Sequence, residues 1–424
     1  MSGKKRPSSK DNVEPEVTSS HPPEPCTGVT LGLIDALLDQ HYPGLRSPVR
    51  ACLAVCATMS LKGRTKPLTL ILEGGSGSGK TAALQMLMPK AEPHLNNYIY
   101  RSDKFTTRAF VSHAANVKAR DMSKLDLIDR LRDKILLTKE LAPIFGGRDE
   151  ELRDNIAILI SVLDGEGFIS DSGMRGRRGY DKPILFNWLG ATTPLQARVH
   201  RMMSQLGTRL LFFAVPTFEL TDVQLLDYAR NGKPDESAAI CNEAVNTFLH
   251  EFYQLHPIGC VEPDSVGFPE HLLEELIRWA QLLVKGRAEV LTEKDNGEPE
   301  PVSAAQPEGI WRVVDYFKEL ALGHALLYDR ENVDSSDLVL LAHVAISSIP
   351  GHIRPVLARL REANCVTSGE VEKLCRVTRP TARKRLRELE VLGISSRTSG
   401  STATNQPDSV SLTPEFAWLR KPGP

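Results

Sequence analysis

Apolar residues along this chain follow two spacings, and the change between them divides it. From Leu31 to Leu45 and from Ser47 to Leu61 they recur every three or four positions, which predicts two amphipathic helices. A continuous apolar run, Leu68 to Leu72, then predicts a buried strand, and Ala82–Met88 a helix stopped by Pro89. Tyr98–Tyr100, Lys134–Thr138, Ile184–Leu189 and Gly207–Phe213 read as further strands. Between them, Asp149 to Leu163 puts Ile156, Leu159, Ile160 and Leu163 on one helical face. Phe105–Val111 suits a loop, a strand or a helix start equally. Strands alternating with helices predict an α/β fold, a parallel sheet covered on both faces.

From Thr221 to about Ile349 the pattern is helical only, over 236–255, 269–290, 310–328 and Asp334–Ser347. Thr292 to Gly309, rich in Glu and Pro, reads as a loop insertion in an all-helical second domain. The remainder differs again. Ile353–Ala363 is a helix, and Thr367-Ser-Gly-Glu370 is a capping box opening another. Thr378 is placed to cap a long basic helix, Arg379–Leu392, ended by Gly393. Two short apolar strands around Ile394 and Leu412 follow. This order is that of a winged helix-turn-helix. The expected division is a disordered tail (1–27), an α/β core (28–220), a helical lid (221–350) and a winged helix (352–424).

Composition narrows the partners. The chain has 424 residues and a net charge of −1, so no whole-molecule field selects a ligand. Charge is uneven, however. From His352 onward thirteen Lys/Arg face seven Asp/Glu, an excess of six positive charges. That local basicity points to nucleic acid, specifically DNA given the helix-turn-helix pattern. Protein contact is the alternative use of the same unit. Seven dispersed cysteines without a C-x-x-C pair argue against a disulfide framework or zinc site and fit a cytoplasmic location. No apolar run approaches the roughly 18 residues of a membrane span. The basic start, Met1 to Pro7, lacks the apolar core of a secretory signal.

The chemistry concentrates after the first strand. Gly74-Gly75-Ser76-Gly77-Ser78-Gly79-Lys80-Thr81 is a P-loop between strand and helix. Glycines let backbone N–H groups turn inward around phosphates, and the following helix start favours the same anion. Lys80 is expected on the β- and γ-phosphates and the Thr81 hydroxyl on Mg²⁺, so the ligand is ATP with Mg²⁺.

Further candidates lie at strand ends. P-loop ATPases usually end the next core strand with Asp-Glu. Here the pair is Lys139-Glu140, which leaves Glu140 as the base for the attacking water and puts metal handling in question. Thr192 and Thr193 end the following strand, where a hydroxyl orients water, and Thr193 is the candidate. Arg209 precedes the last core strand and suits an arginine finger acting on a neighbouring subunit. Arg175, Arg177 and Arg178 crowd the tip of a glycine-rich hairpin, 164–180, as phosphate contacts. Arg379, Arg383, Lys384 and Arg387 supply the basic face of the last long helix.

This order of parts resembles bacterial AAA+ ATPases of the pre-sensor-1 hairpin type, the MoxR-type ATPases and the minichromosome maintenance helicases. The stretch Leu163-Asp-Gly-Glu-Gly-Phe-Ile-Ser170 is similar to their hairpin, and Gly207-Thr-Arg209 to their arginine-finger segment. Pro307-Glu-Gly-Ile-Trp-Arg312 resembles a sensor-2 segment, which makes Arg312 a catalytic candidate. Val333-Asp-Ser-Ser-Asp-Leu338 resembles their lid signature. The resemblance covers about residues 30–350. No zinc-bearing N-terminal domain is legible ahead of it, unlike the replicative helicases. It implies an ATPase that self-associates into a ring or partial ring. Three roles stay open: a DNA translocase, helicase or loader; an ATP-controlled transcriptional regulator; or a MoxR-type chaperone acting on a protein partner.

Overall fold

A computed structural model describes residues 28–420 apart from 113–120, 122, 173–175, 205–206, 218–220, 232–233, 296–297 and 401–406. The expected tail, 1–27, lies outside the described residues.

Helices α1 (Leu31–His41) and α2 (Arg46–Ala57) precede β1 (Leu68–Glu73), whose six residues are all buried. The P-loop leads into α3 (Lys80–Met86). After β2 (Ile99–Arg101) come the short α4 (Leu127–Arg130), β3 (Ile135–Thr138), the short α5 (Ala142–Phe145) and α6 (Asp149–Leu163). Then follow the hairpin β4 (Phe168–Ser172) and β5 (Gly176–Tyr180), β6 (Asn187–Thr192), α7 (Ala197–Ser204) and β7 (Leu211–Ala214). Strands β2-β3-β6-β1-β7, in that order, form one five-stranded parallel sheet. Helices cover both faces, since the crossover between parallel strands must return over the sheet. The fold is α/β, as the alternation of periodicities predicts.

The strand expected at Ile184–Leu189 lies at Asn187–Thr192. Ile184 and Phe186 are buried, but pairing with β1 starts only at Asn187. Hydrophobicity reports burial; the ladder starts where a partner strand lies alongside. Asn187 is also a joint. Its carbonyl oxygen accepts from Leu68 N–H (3.1 Å) and Arg64 (2.6 Å), and its amide donates to Val55 O (2.7 Å) and Thr58 Oγ1 (2.8 Å). A fully buried amide with all four contacts made fixes α2 against the sheet.

The next region, α8 (Asp222–Asn231), α9 (Pro234–Leu255), α10 (Glu270–Gly286), α11 (Trp311–Leu327) and α12 (Ser335–Ser348), is not wholly helical. Between α10 and α11, β8 (Val290–Asp295) and β9 (Glu298–Ala304) form an antiparallel hairpin where the loop insertion is expected. Nor do the helices build a core apart. Helix α9 packs on α1 and α3, α11 on α2, and α12 on β7, and their apolar residues join one cluster with the sheet. The fit of α11 on α2 is close: a Cβ on Gly323 would stand 2.6 Å from Ala54 O. Helix α12 also serves edge strand β7, where Ser348 Oγ accepts from Phe212 N–H at 2.8 Å. The Val333–Leu338 signature has a physical meaning. Asp334 caps α12 through Ser336 N–H (2.8 Å), and Asp337 returns a bond from Asp334 N–H (2.8 Å).

The chain ends with α13 (Arg354–Leu360), β10 (Val366–Thr367), α14 (Ser368–Cys375), α15 (Arg379–Val391), β11 (Ser395–Thr398) and β12 (Ser409–Leu412). The strands form a small antiparallel sheet, β10-β12-β11. The Thr367/Glu370 capping box forms as expected. Thr378 occupies the N-cap of α15 without a capping bond; its hydroxyl meets Thr381 Oγ1 at 3.0 Å instead. Pro380 at the second helical position has no N–H to offer. This unit docks on α10. Trp418 meets Trp279 edge-on at 4.8 Å between ring centres, Arg361 lies 5.6 Å over Trp279, and Lys285 pairs with Glu415 at 2.7 Å.

Candidate active site

Strand β1 delivers the P-loop to the C-terminal edge of the sheet. Gly77 and Gly79 take positive φ values of 78° and 84°, where a side chain is strained. At Gly79 a Cβ would also stand 2.6 Å from Leu45 Cδ2, while at Gly75 and Gly77 the space is open. Lys80 is only 7% exposed. Its ammonium bridges the loop, donating to Gly74 O (2.8 Å) and Gly75 O (2.6 Å), with Ser78 Oγ at 3.4 Å. Burial holds this ammonium below its ordinary value, and the Glu140 carboxylate partly offsets that. Backbone carbonyls are weak partners for a cation, so an incoming phosphate exchanges them for a stronger one. The cradle fits a polyphosphate, with the exposed Thr81 at its mouth for a metal ion.

Glu140 and Lys139 follow β3, two places across the sheet from the P-loop strand. Glu140 Oε1 accepts from Ala142 N–H at 2.9 Å, which steadies the carboxylate on α5. Lys139 pairs with Asp103 at 3.8 Å, just beyond β2. Arg101, and then Lys139, hold the Asp103 carboxyl below its ordinary range. An acid is therefore present at this edge, one strand away from where the Asp-Glu pattern looks for it. Thr192, buried, donates to Thr193 O at 3.0 Å; Thr193 is exposed.

The arginine candidates lie elsewhere. Arg209 precedes β7, which runs parallel to β1, so it sits at the opposite edge of the sheet. A six-residue strand at about 3.3 Å per residue separates the edges by roughly 17 Å. Arg312, on α11, is at that same far edge. Both arginines grip Asp164, the C-cap of α6. Arg209 does so through Nε (3.0 Å) and Nη2 (2.8 and 3.0 Å), and Arg312 through Nη2 (3.1 Å). A cleft of about 430 Å³ beside them is lined by Lys66, Arg209, Glu308, Trp311 and Arg312. Trp311 is 79% exposed.

The hairpin β4–β5 divides its arginines. Arg175 lies outside the described residues. Arg177 is exposed. Arg178 turns inward to buried Asp126 (3.0 Å) and the Ser112 carbonyl, which brings the hairpin base against the core. On α15, Arg379 and Arg383 are exposed, and Arg383 pairs with Asp408 at 2.7 Å. Lys384 and Arg387 are half-buried.

Three residues of these arrangements were not singled out by the sequence reading. Asp103 follows a strand end on the P-loop edge, a position that alone marks candidates. Asp164 caps α6 at the point where the glycine-rich hairpin pattern begins, and that pattern masks it. Glu73 closes β1 and is 4% exposed; it pairs with Arg354 at 2.5 Å and accepts from Leu195 N–H at 3.1 Å. Among the described residues no cluster of His, Cys, Asp and Glu could hold a metal, and no helix is long and apolar enough to cross a membrane. No protein-family model matches the chain, and no curated protein resembles it in sequence.

Proposed function

We propose that this chain is an AAA+-type ATPase that binds ATP with Mg²⁺, hydrolyses it between adjoining copies, and acts on DNA through a C-terminal winged helix. The observation that carries the reading is the division of charged groups between the two edges of one sheet. The P-loop, Glu140 and Thr193 occupy one edge, and Arg209 with Arg312 the other. Arginines some 17 Å from their own loop serve a phosphate only if another copy presents it. Head-to-tail association then makes each site composite, as a ring or partial ring requires.

Within such a site, Lys80 and the loop amides hold the triphosphate and Thr81 its metal ion. Glu140 takes the proton of the attacking water. Arg209 and Arg312 balance charge on the transferring phosphoryl group. Lys139 contributes no metal ligand; it pairs with Asp103 instead. Helices α9–α12 serve as the lid. Helices α13–α15 and the sheet β10-β12-β11 make the winged helix, with α15 as its recognition helix. An ATPase assay with and without single- and double-stranded DNA tests the whole. Turnover that needs Lys80 and rises with DNA is expected. Turnover unchanged in Lys80→Ala overturns it.

A further inference from the structure

Both far-edge arginines share one acid, Asp164. Its Oδ1 accepts from Arg209 Nη2 at 2.8 Å and from Arg312 Nη2 at 3.1 Å, so the two nitrogens stand within about 6 Å of each other. Guanidiniums that close repel, and the carboxylate between them makes the pairing favourable. Among the described residues the Asp164 carboxylate has no other hydrogen-bond partner. The grip is uneven. Arg209 is forked on both oxygens through Nε and Nη2, and its side chain is 12% exposed. Arg312 gives a single N–H, and its other donors find no partner among the described residues. It is tethered but not saturated, on the wall of the cleft that Lys66 also lines.

None of the backbones involved depends on this carboxylate for its place. Glu308, just ahead of α11, accepts from Thr208 N–H at 2.6 Å and from the Thr208 hydroxyl, which ties the approach to Arg209 to the approach to Arg312. Gly207 permits that contact: its φ is 63°, and a Cβ there would stand 2.6 Å from Glu308 Oε2. The end of α6 is likewise fixed by main chain. Asp164 N–H donates to Ile160 O at 3.1 Å, and a Cβ on Gly165 would stand 2.5 Å from Thr65 O. What the Asp164 side chain adds is the direction of two guanidiniums.

We propose that Asp164 is a positioning residue for the hydrolytic step, holding Arg209 and Arg312 side by side so that both meet the terminal phosphate of a nucleotide carried by a second copy. This rests on the reading that the arginines act between copies. The triphosphate is held by the other copy's loop, so misaimed arginines leave affinity alone and slow turnover. A displacement of about 1 Å at such a group lowers the rate about 10²-fold. Asp164 and Arg209 also belong to the same face of the same copy, so lesions in the two cannot complement each other.

The test compares Asp164→Asn, Asp164→Glu and Arg209→Ala in the full chain, alone and in mixtures. Phosphate release is followed over a range of ATP concentrations, with thermal melts and light scattering on each preparation. Asp164→Asn is expected to lose about 10²-fold in kcat with KM for ATP within about twofold of wild type. Asp164→Glu keeps the charge and is expected to recover most of that loss. Mixed with Lys80→Ala, Asp164→Asn is expected to regain turnover; mixed with Arg209→Ala, it is expected to stay inactive. A chain merely damaged in folding would not complement Lys80→Ala. Asp164→Ser carries the same expectations if the amide variant does not melt cooperatively. Wild-type turnover in folded Asp164→Asn, beside an inactive Arg209→Ala, overturns the positioning role and leaves action between copies standing. A KM that rises in step with the fall in kcat overturns it as well. Wild-type turnover in Arg209→Ala removes action between copies and the role of Asp164 with it.

Discussion

Arg354, at the start of the C-terminal unit, reaches across the molecule to Glu73, the residue immediately before the P-loop glycines, at 2.5 Å. Both side chains are largely buried. Removing one partner strands the other away from water. Arg354→Ala is therefore expected to cost about 3–5 kcal/mol, and the paired replacement Glu73→Gln/Arg354→Met much less. Urea unfolding of the two single variants and the double checks this; additive losses would rule out a coupled pair.

Lys80→Ala is expected to abolish nucleotide binding, because it removes the cation held inside the loop. Glu140→Gln is expected to bind ATP normally and to turn over about 10²–10⁴-fold more slowly, since an amide takes no proton from water. Calorimetric titration with ATP and a phosphate-release assay separate the two. Normal turnover in Glu140→Gln would move the base elsewhere.

Arg209→Ala is expected to bind nucleotide yet lose about 10³-fold or more in turnover. Mixed with Lys80→Ala, it should regain activity, because one interface in the mixture unites an intact loop with an intact arginine. A mixture as inactive as its components, in preparations that associate by light scattering, argues against action between copies.

His200 gives the fold a dependence on pH. Burial first, then the charges of Arg354, Arg287 and His352, pull its imidazole down to about 3. The unfolded chain accepts a proton near pH 6.5 that the folded chain refuses. This contribution is whole above pH 6.5 and shrinks as pH falls toward 3. From pH 7 to pH 5 it amounts to about 2 kcal/mol. His200→Gln is expected to flatten stability over that interval. Chemical denaturation at both pH values measures it, and an unchanged slope would assign the dependence to other groups.

Much of this was legible in the sequence because it is local. The P-loop is spelled by adjacent residues, Asp149–Leu163 by helical spacing, and the Thr367/Glu370 box by a three-residue interval. What escaped depends on partners distant in the chain. No spacing rule links Asp164 to Arg312, or Lys139 to Asp103. The β8–β9 hairpin is the exception, since its signal is local. Asn296-Gly297 is the dipeptide of two-residue hairpin loops, but the prolines and glutamates around it read as a loop.

The edge-on packing of Trp418 against Trp279 has an optical consequence. Two indoles 4.8 Å apart and nearly perpendicular, at 88°, couple their electronic transitions and contribute a paired positive and negative band to the circular dichroism spectrum. One indole belongs to the last turn among the described residues, Pro414–Leu419, and the other to α10. The band pair is thus a label-free gauge of whether the C-terminal unit is seated on α10, readable without any dye.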